Sequence, residues 1–233
     1  SKIDLIDLQS GTRKLLVQGA FPIWSSKGDG VTFSGKGGLH WAPADGSGTP
    51  ELLVPHPGFV VPTAWNASTG DLAYYDHRAF EIWIRSPDGK TRRFLGGPGG
   101  ERSGRFSADG KWMAFVSAET GEYQVYVTAY PGPGATVVVS TKGGLSPIWS
   151  ADGHELFFRL GSKLMAARMS STSPLSFTAP AELFDGPYTL DLMGHQREDV
   201  SSDGRQFLMV EHSDDLPNVI VQNWALELSR IVR

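Results

Sequence analysis

Pro147-Ile-Trp-Ser-Ala-Asp-Gly-His-Glu-Leu-Phe-Phe158 is the stretch that decides the fold. It joins a bulky aromatic residue, a Ser-Ala-Asp-Gly turn and an apolar run of strand length. Asp-Gly suits a tight connection, because glycine accepts positive φ and aspartate bonds to its own backbone. The pattern recurs along the chain. Trp24-Ser-Ser-Lys-Gly-Asp-Gly30, Trp65-Asn-Ala-Ser-Thr-Gly-Asp71, Phe106-Ser-Ala-Asp-Gly110, Trp149-Ser-Ala-Asp-Gly153 and Val200-Ser-Ser-Asp-Gly204 follow one another at spacings of 41, 41, 43 and 51 residues. A near-constant period of about 40–50 residues is that of propeller blades.

Each turn leads into an apolar run: Val31–Ser34, Leu72–Tyr75, Trp112–Ser117, Glu155–Arg159 and Gln206–Val210. A second run follows at Gly38–Ala42, Phe80–Arg85, Gln124–Tyr130, Lys163–Met169 and Asn218–Trp224. Polar turns then lead to Thr91–Leu95 and Thr136–Ser140. β-Branched and aromatic residues between Gly, Pro and Asp punctuation predict strands throughout, hence an all-β chain. A single four-stranded antiparallel unit cannot bury both of its faces. Radial arrangement as a β-propeller lets neighbours cover one another, and the recurring Trp or Phe is expected to pack between blades.

Ile3–Leu8 and Lys14–Val17 read as the outer two strands of a blade. The expectation is therefore one propeller domain over 1–233: a half blade at 1–17, repeats at 18–54, 58–96, 101–141, 144–185 and 195–224, and a tail at 225–233. Five full repeats plus a half blade leave five or six blades open. If the chain is a fragment, an exposed strand edge predicts dimers through edge pairing.

Composition bounds the function. The 233 residues carry 21 Lys and Arg against 25 Asp and Glu, a net charge of −4. That argues against a nucleic-acid-gripping face and against a polybasic membrane anchor. Twenty-eight glycines and 15 prolines make the chain turn-rich, as all-β chains are. With no cysteine, disulfides, Cys-ligated zinc and thiol catalysis are excluded. No apolar run reaches the roughly 20 residues of a membrane-spanning helix.

Trp149-Ser-Ala-Asp-Gly153 and Phe106-Ser-Ala-Asp-Gly110, each followed by an apolar strand, resemble the repeats of TolB-type propellers. With Asp199-Val-Ser-Ser-Asp-Gly-Arg-Gln-Phe-Leu-Met209 and Asn218-Val-Ile-Val-Gln-Asn-Trp224, the chain resembles the propeller domains C-terminal to some bacterial serine/threonine protein kinases. The resemblance covers nearly the whole chain. It implies six blades, a sensor or docking role, and a weak preference for the periplasm or cell surface. Such propellers also precede the hydrolase domain of prolyl-oligopeptidase-like enzymes. Neither kinase signatures nor a Gly-x-Ser-x-Gly elbow occurs here; Gly144-Leu-Ser146-Pro-Ile148 lacks the final glycine.

Other local signatures are missing too. Asp88-Gly-Lys-Thr91 ends like a phosphate-binding loop, but Ile84 stands where that loop needs glycine. His154-Glu155 is not followed by a second histidine at zinc-binding spacing. No metal site and no cofactor are expected. Propeller geometry instead gathers scattered residues. Loops entering each innermost strand share a face around the central channel with loops between second and third strands.

The richest cluster there is Gly194-His-Gln-Arg-Glu-Asp199. His195 with Glu198 or Asp199 could serve as acid and base, since imidazole titrates near neutrality. The same charges could instead pair with Arg102, Arg105 or Arg197 and stitch blades together. His77-Arg78 is a second candidate, a rim contact for an anionic or peptide partner. The expected ligand-binding set is His77, Arg78, Arg102, Arg105, His195 and Arg197. The favoured function is a non-catalytic module binding a protein, peptide or small ligand. The alternative is a channel hydrolase or lyase with a metal-assisted or acid/base site using His195, Glu198 and Asp199.

Overall fold

The computed structural model describes residues 1–7, 10–132, 134–191, 198–201, 204, 206–211 and 219–221. They form strands and turns only, and every strand pairing among them is antiparallel. The chain gathers into two compact units, Ser1–Gly96 and Gly97–Arg233.

The first unit opens with a two-stranded sheet, β1 (Lys2–Ile6) and β2 (Arg13–Gln18). Two four-stranded meanders follow. One runs β3 (Ala20–Trp24), β4 (Gly30–Gly35), β5 (Gly38–Pro43), β6 (Glu51–Pro55). The other runs β7 (Val60–Trp65), β8 (Leu72–Asp76), β9 (Glu81–Arg85), β10 (Thr91–Leu95).

The second unit begins with the meander β11 (Arg102–Phe106), β12 (Trp112–Ser117), β13 (Gln124–Ala129), β14 (Val137–Val138). Next come β15 (Leu145–Trp149), β16 (Glu155–Leu160) and the ten-residue β17 (Lys163–Thr172). Both β18 (Leu175–Phe177) and β19 (Ala181–Asp185) pair with β17. A three-stranded sheet, β20 (Glu198–Val200), β21 (Phe207–Glu211), β22 (Val219–Val221), completes the described strands. The tail expected at 225–233 lies outside the described residues.

The five repeat turns are one structure built five times. Ser25, Asn66, Ser107, Ser150 and Ser201 each donate their backbone N–H to the carbonyl five residues on, at or just before the start of the next strand, at 2.8–2.9 Å. Each also accepts, at its own carbonyl, a bond from the turn glycine: Gly28, Gly70, Gly110, Gly153 and Gly204. Those glycines have φ of 68–74°, a region closed to most L-residues. Side chains lock the loop. Ser107 Oγ donates to Asp109 Oδ1 and Ser150 Oγ to Asp152 Oδ1, both at 2.6 Å. The same hydroxyls accept the N–H of Trp112 at 3.0 Å and of Glu155 at 2.9 Å.

Within each unit, sheets pack on the sheets before them in sequence. Trp65 Nε1 donates to Thr32 Oγ1 of the preceding sheet at 3.1 Å, and Trp149 Nε1 to the Arg105 carbonyl at 3.2 Å. The core of the second unit joins Val116, Val125 and Val127 of one sheet to Trp149, Leu156 and Phe158 of the next. Ile148, Phe157 and Leu164 then meet Phe207 and Met209. Phe106, at the equivalent position, meets Tyr130 edge-on at 4.8 Å. Trp24, beside the two-stranded sheet, is 55% exposed.

A bulge recurs in the innermost strands. Register breaks fall between Ala20 and Ile23, Arg102 and Arg105, and Leu145 and Ile148. Each contains a residue with left-handed backbone three positions before the repeat aromatic: Phe21 (φ 53°), Ser103 (56°) and Ser146 (51°). Pro62 occupies that place before Trp65. Its ring fixes φ near −65°, and the break moves on to between Pro62 and Ala64.

Two measurements check this architecture. Gly38 has φ 138°, and a Cβ there would sit 1.9 Å from the Val54 carbonyl oxygen. Gly38→Ala is expected to cost at least about 3 kcal/mol in urea unfolding. The Asp152 carboxyl is held below its usual range, first by the Ser150 hydroxyl and then by the His154 N–H. Its folded pKa lies below the unfolded value of about 3.9, so the stability it adds is present above that value and lost as pH falls through the folded one. Asp152→Asn should flatten the acid limb of the stability curve, read by thermal melts from neutral to acid pH.

Candidate functional site

In the first unit, the link from β6 to β7 and the turn from β8 to β9 come together. The His77 N–H donates to the Phe59 carbonyl at 3.1 Å. The turn is wound around Asp76, whose Oδ1 accepts the N–H of Arg78 at 2.9 Å and of Ala79 at 3.2 Å. Its Oδ2 lies 3.4 Å from His56 Nε2. His56 Nδ1 accepts the Gly58 N–H at 3.1 Å, so Nε2 is the nitrogen that presents a proton to Asp76 even in the neutral ring.

This framework holds a row of rings. Phe21 meets Phe59 at 5.5 Å between centroids, and Phe59 meets His77 at 5.7 Å. His77 in turn lies 5.8 Å from Tyr75 and 5.9 Å from Phe80. Tyr75 is buried, whereas Phe59 is 44% and Phe80 40% exposed. The His77 Nδ1 atom is buried with no hydrogen-bond partner. Phe80, like Phe21, has positive φ, 56°. Such strain costs about 1–3 kcal/mol per residue and clusters at functional sites.

The second unit carries charges on its innermost strands β11 and β20 and on β16. Arg159, wholly buried in β16, donates Nη1 to Glu198 Oε1 of β20 at 2.9 Å. Its remaining donors reach the carbonyls of Lys163 (3.3 Å), Gly161 (3.0 Å) and Tyr188 (3.3 Å). Glu198 is 3% exposed. A buried pair with its guanidinium bonded on every side is a cross-link between sheets. Asp199, next along β20, points outward and accepts the Val200 N–H at 2.9 Å. Burial pushes the Arg105 guanidinium down to about 10, against the opposing pull of Asp199 and Glu198. Arg102 donates Nη2 to the Tyr123 hydroxyl at 2.7 Å and lies 4.4 Å over that ring.

The sequence-derived candidates thus separate. His77 lies at the centre of the aromatic row, and Arg78 is exposed on the same turn. Arg105 and the Glu198–Asp199 pair share the charged cluster of the second unit, while Arg102 packs on Tyr123. His195 and Arg197 lie outside the described residues. Sequence reasoning missed Arg159, although a lone arginine inside Leu156-Phe-Phe-Arg-Leu160 signals a buried pair. It also missed Phe80, three residues on in the same turn, and Phe59, which meets His77 only through the loop pairing. Among the described residues no three His, Asp or Glu side chains are grouped to hold a metal.

No family model and no curated protein sequence matches the chain. Solved structures do match in shape. TolB from Acinetobacter baumannii is similar over 95% of this chain, with TM-score 0.72 and 14% identity; the chain spans 56% of that protein's length. A gluconolactonase from Xanthomonas campestris matches over 82% of this chain and 68% of its own, with TM-score 0.62 and 15% identity. A chain of a nidogen–laminin complex matches over 90% and 82%, with TM-score 0.61 and 12% identity. The fold is the TolB-like β-propeller, and its sheets are propeller blades. At these identities the likeness establishes architecture and no activity.

The Arg159–Glu198 cross-link carries a clear expectation. Glu198→Ala leaves a buried guanidinium unpaired and should cost about 3–5 kcal/mol in urea unfolding. Replacing both partners, Arg159→Met with Glu198→Leu, should recover most of that loss.

Proposed function

We propose that the chain is a non-catalytic binding module whose first-unit loops receive a protein or peptide. The observation that carries this reading is the pair of exposed rings, Phe59 and Phe80, fixed on either side of His77. Rigid, partly exposed aromatic side chains supply large contact area at low entropic cost, which is why aromatics dominate binding hot spots. Arg78, exposed beside them, supplies a cation for a carboxylate on the partner. The nidogen–laminin neighbour supports the reading as a case of this fold within a protein complex.

The second reading is a hydrolase or lyase using His195, Glu198 and Asp199, and the gluconolactonase neighbour favours it as an enzyme on this fold. Against it stands Glu198, which is sealed by Arg159 and reaches no solvent-borne substrate.

Partner capture from a lysate of the source organism decides between them. A protein retained by the native chain and lost, by roughly ten-fold or more, with Phe59→Ser/Phe80→Ser supports the binding face. Capture indifferent to that double substitution contradicts it. Turnover of esters or lactones that disappears in Asp199→Asn would establish the enzymatic reading instead.

A further inference from the structure

His56 lies where three loops of the first unit meet. Its backbone N–H donates to the Gly37 carbonyl of the β4–β5 turn at 2.8 Å. Its Nδ1 accepts the Gly58 N–H of its own link, and its Nε2 faces the Asp76 carboxylate that shapes the β8–β9 turn. Both side chains are partly buried. Gly58 lies against the ring, since a Cβ there would stand 3.3 Å from His56 Cε1. The next residue is Phe59, whose carbonyl accepts the His77 N–H at 3.1 Å.

The hydrogen bonds fix what a proton does here. Nδ1 already receives the Gly58 proton, so the neutral ring carries its own proton on Nε2. A second proton has only Nδ1 to occupy. There it points at the Gly58 N–H, donor against donor, and that bond is lost. The same proton makes the ring a cation, which the Asp76 carboxylate attracts more strongly. The ring therefore stays on the β8–β9 turn while the link at Gly58 is released.

The other charged and titratable groups around His56 do not make this contact. Lys36 precedes Gly37, and its carbonyl lies 3.0 Å from His40 Nε2. The β8–β9 turn adds His77 and exposed Arg78, and β8 adds buried Tyr75. Glu81, opposite Asp76 in β9, bonds Arg93 at 2.9 Å. His40 is held by Lys36, and the buried Nδ1 of His77 has no hydrogen-bond partner, so neither ring bonds Gly58.

We propose that His56 is the positioning residue of the aromatic face, holding Phe59 beside His77 when neutral and releasing it when protonated. The face is complete while the ring is neutral and is dismantled when the ring is charged. The inference rests on the binding reading for its purpose, but its test needs no partner.

That test is NMR of the purified chain from about pH 8 to about pH 5.5, where imidazoles change charge and carboxylates do not. The signals followed are the His56 ring, the Gly58 amide and the cross-relaxation between the Phe59 and His77 rings, whose centroids lie 5.7 Å apart. The Gly58 amide is expected to move with the His56 ring at one shared midpoint. The Phe59–His77 cross-peak should weaken about two- to ten-fold in acid, the population change that one lost hydrogen bond produces. In His56→Asn the side-chain oxygen can accept the N–H two residues on and does not titrate. The ring contact should then persist at both ends of the range. In His56→Ala, which has no acceptor, it should be weak at both ends while the melting profile stays cooperative. His77→Phe keeps a ring, removes the other nearby titration and should leave the Gly58 response in place. Failure of His56 to titrate in this range, a Gly58 amide that ignores its titration, a pH response that survives in His56→Asn or vanishes in His77→Phe, or a strong ring contact in His56→Ala would each overturn the proposal. Each of these outcomes is separate from partner capture, which tests the binding reading itself.

Discussion

The indole of Trp149, donating across to the Arg105 carbonyl of the preceding sheet, is the contact type on which the structure depends. A twisted four-stranded sheet with two apolar faces has no stable state alone. Trp65 makes the corresponding bond to Thr32. In both cases a large apolar ring fills the space between sheets and one polar atom fixes its orientation. The turn after each aromatic then has a single task, to reverse the chain within a few residues. Five copies of the same backbone bonds perform it. Charge enters the same scheme at Arg159 and Glu198, where a fully bonded ion pair joins β16 to β20.

Much of this was legible in the sequence because it is local. Ser, Asp and Gly at fixed offsets encode the turn, and Thr91–Leu95 was placed to the residue. Val137–Val138 is shorter than the expected Thr136–Ser140, although Val139 and Ser140 still bond the Val125 carbonyl. The strand expected at Lys163–Met169 runs on to Thr172 and folds back as β18. That extension depends on which edge is available, not on local pattern. The innermost-strand bulge was not legible either. Its left-handed residue is Phe in one repeat and Ser in two others, so no residue type announces it.

The site was half legible for the same reason. His77 and Arg78 stand out as a charged hairpin turn. Of the rings around His77, Phe80 shares its turn and reads as the start of a strand, whereas Phe59, with Phe21 beyond it, lies on a separate stretch of chain. Only the pairing of the two loops makes them one surface. Likewise Glu198 stands out as a charge needing a partner, but the sequence offers Arg102, Arg105 and Arg197 for it, whereas the partner is Arg159, 39 residues away.

The molecule thus divides its polar and aromatic groups between two uses. In the second unit the buried Arg159–Glu198 pair ties β16 to β20, and strained loops of the first unit present rings to solvent. TolB, a gluconolactonase and a nidogen–laminin chain are similar to it in architecture, so the blades alone assign no function, and the proposed binding role rests on the loops. Hydrogen–deuterium exchange of the chain with its captured partner bound tests that division most directly. The account predicts new protection confined to residues 56–60 and 76–81. Protection on β11, β15 and β20, with none at 56–60, would contradict it.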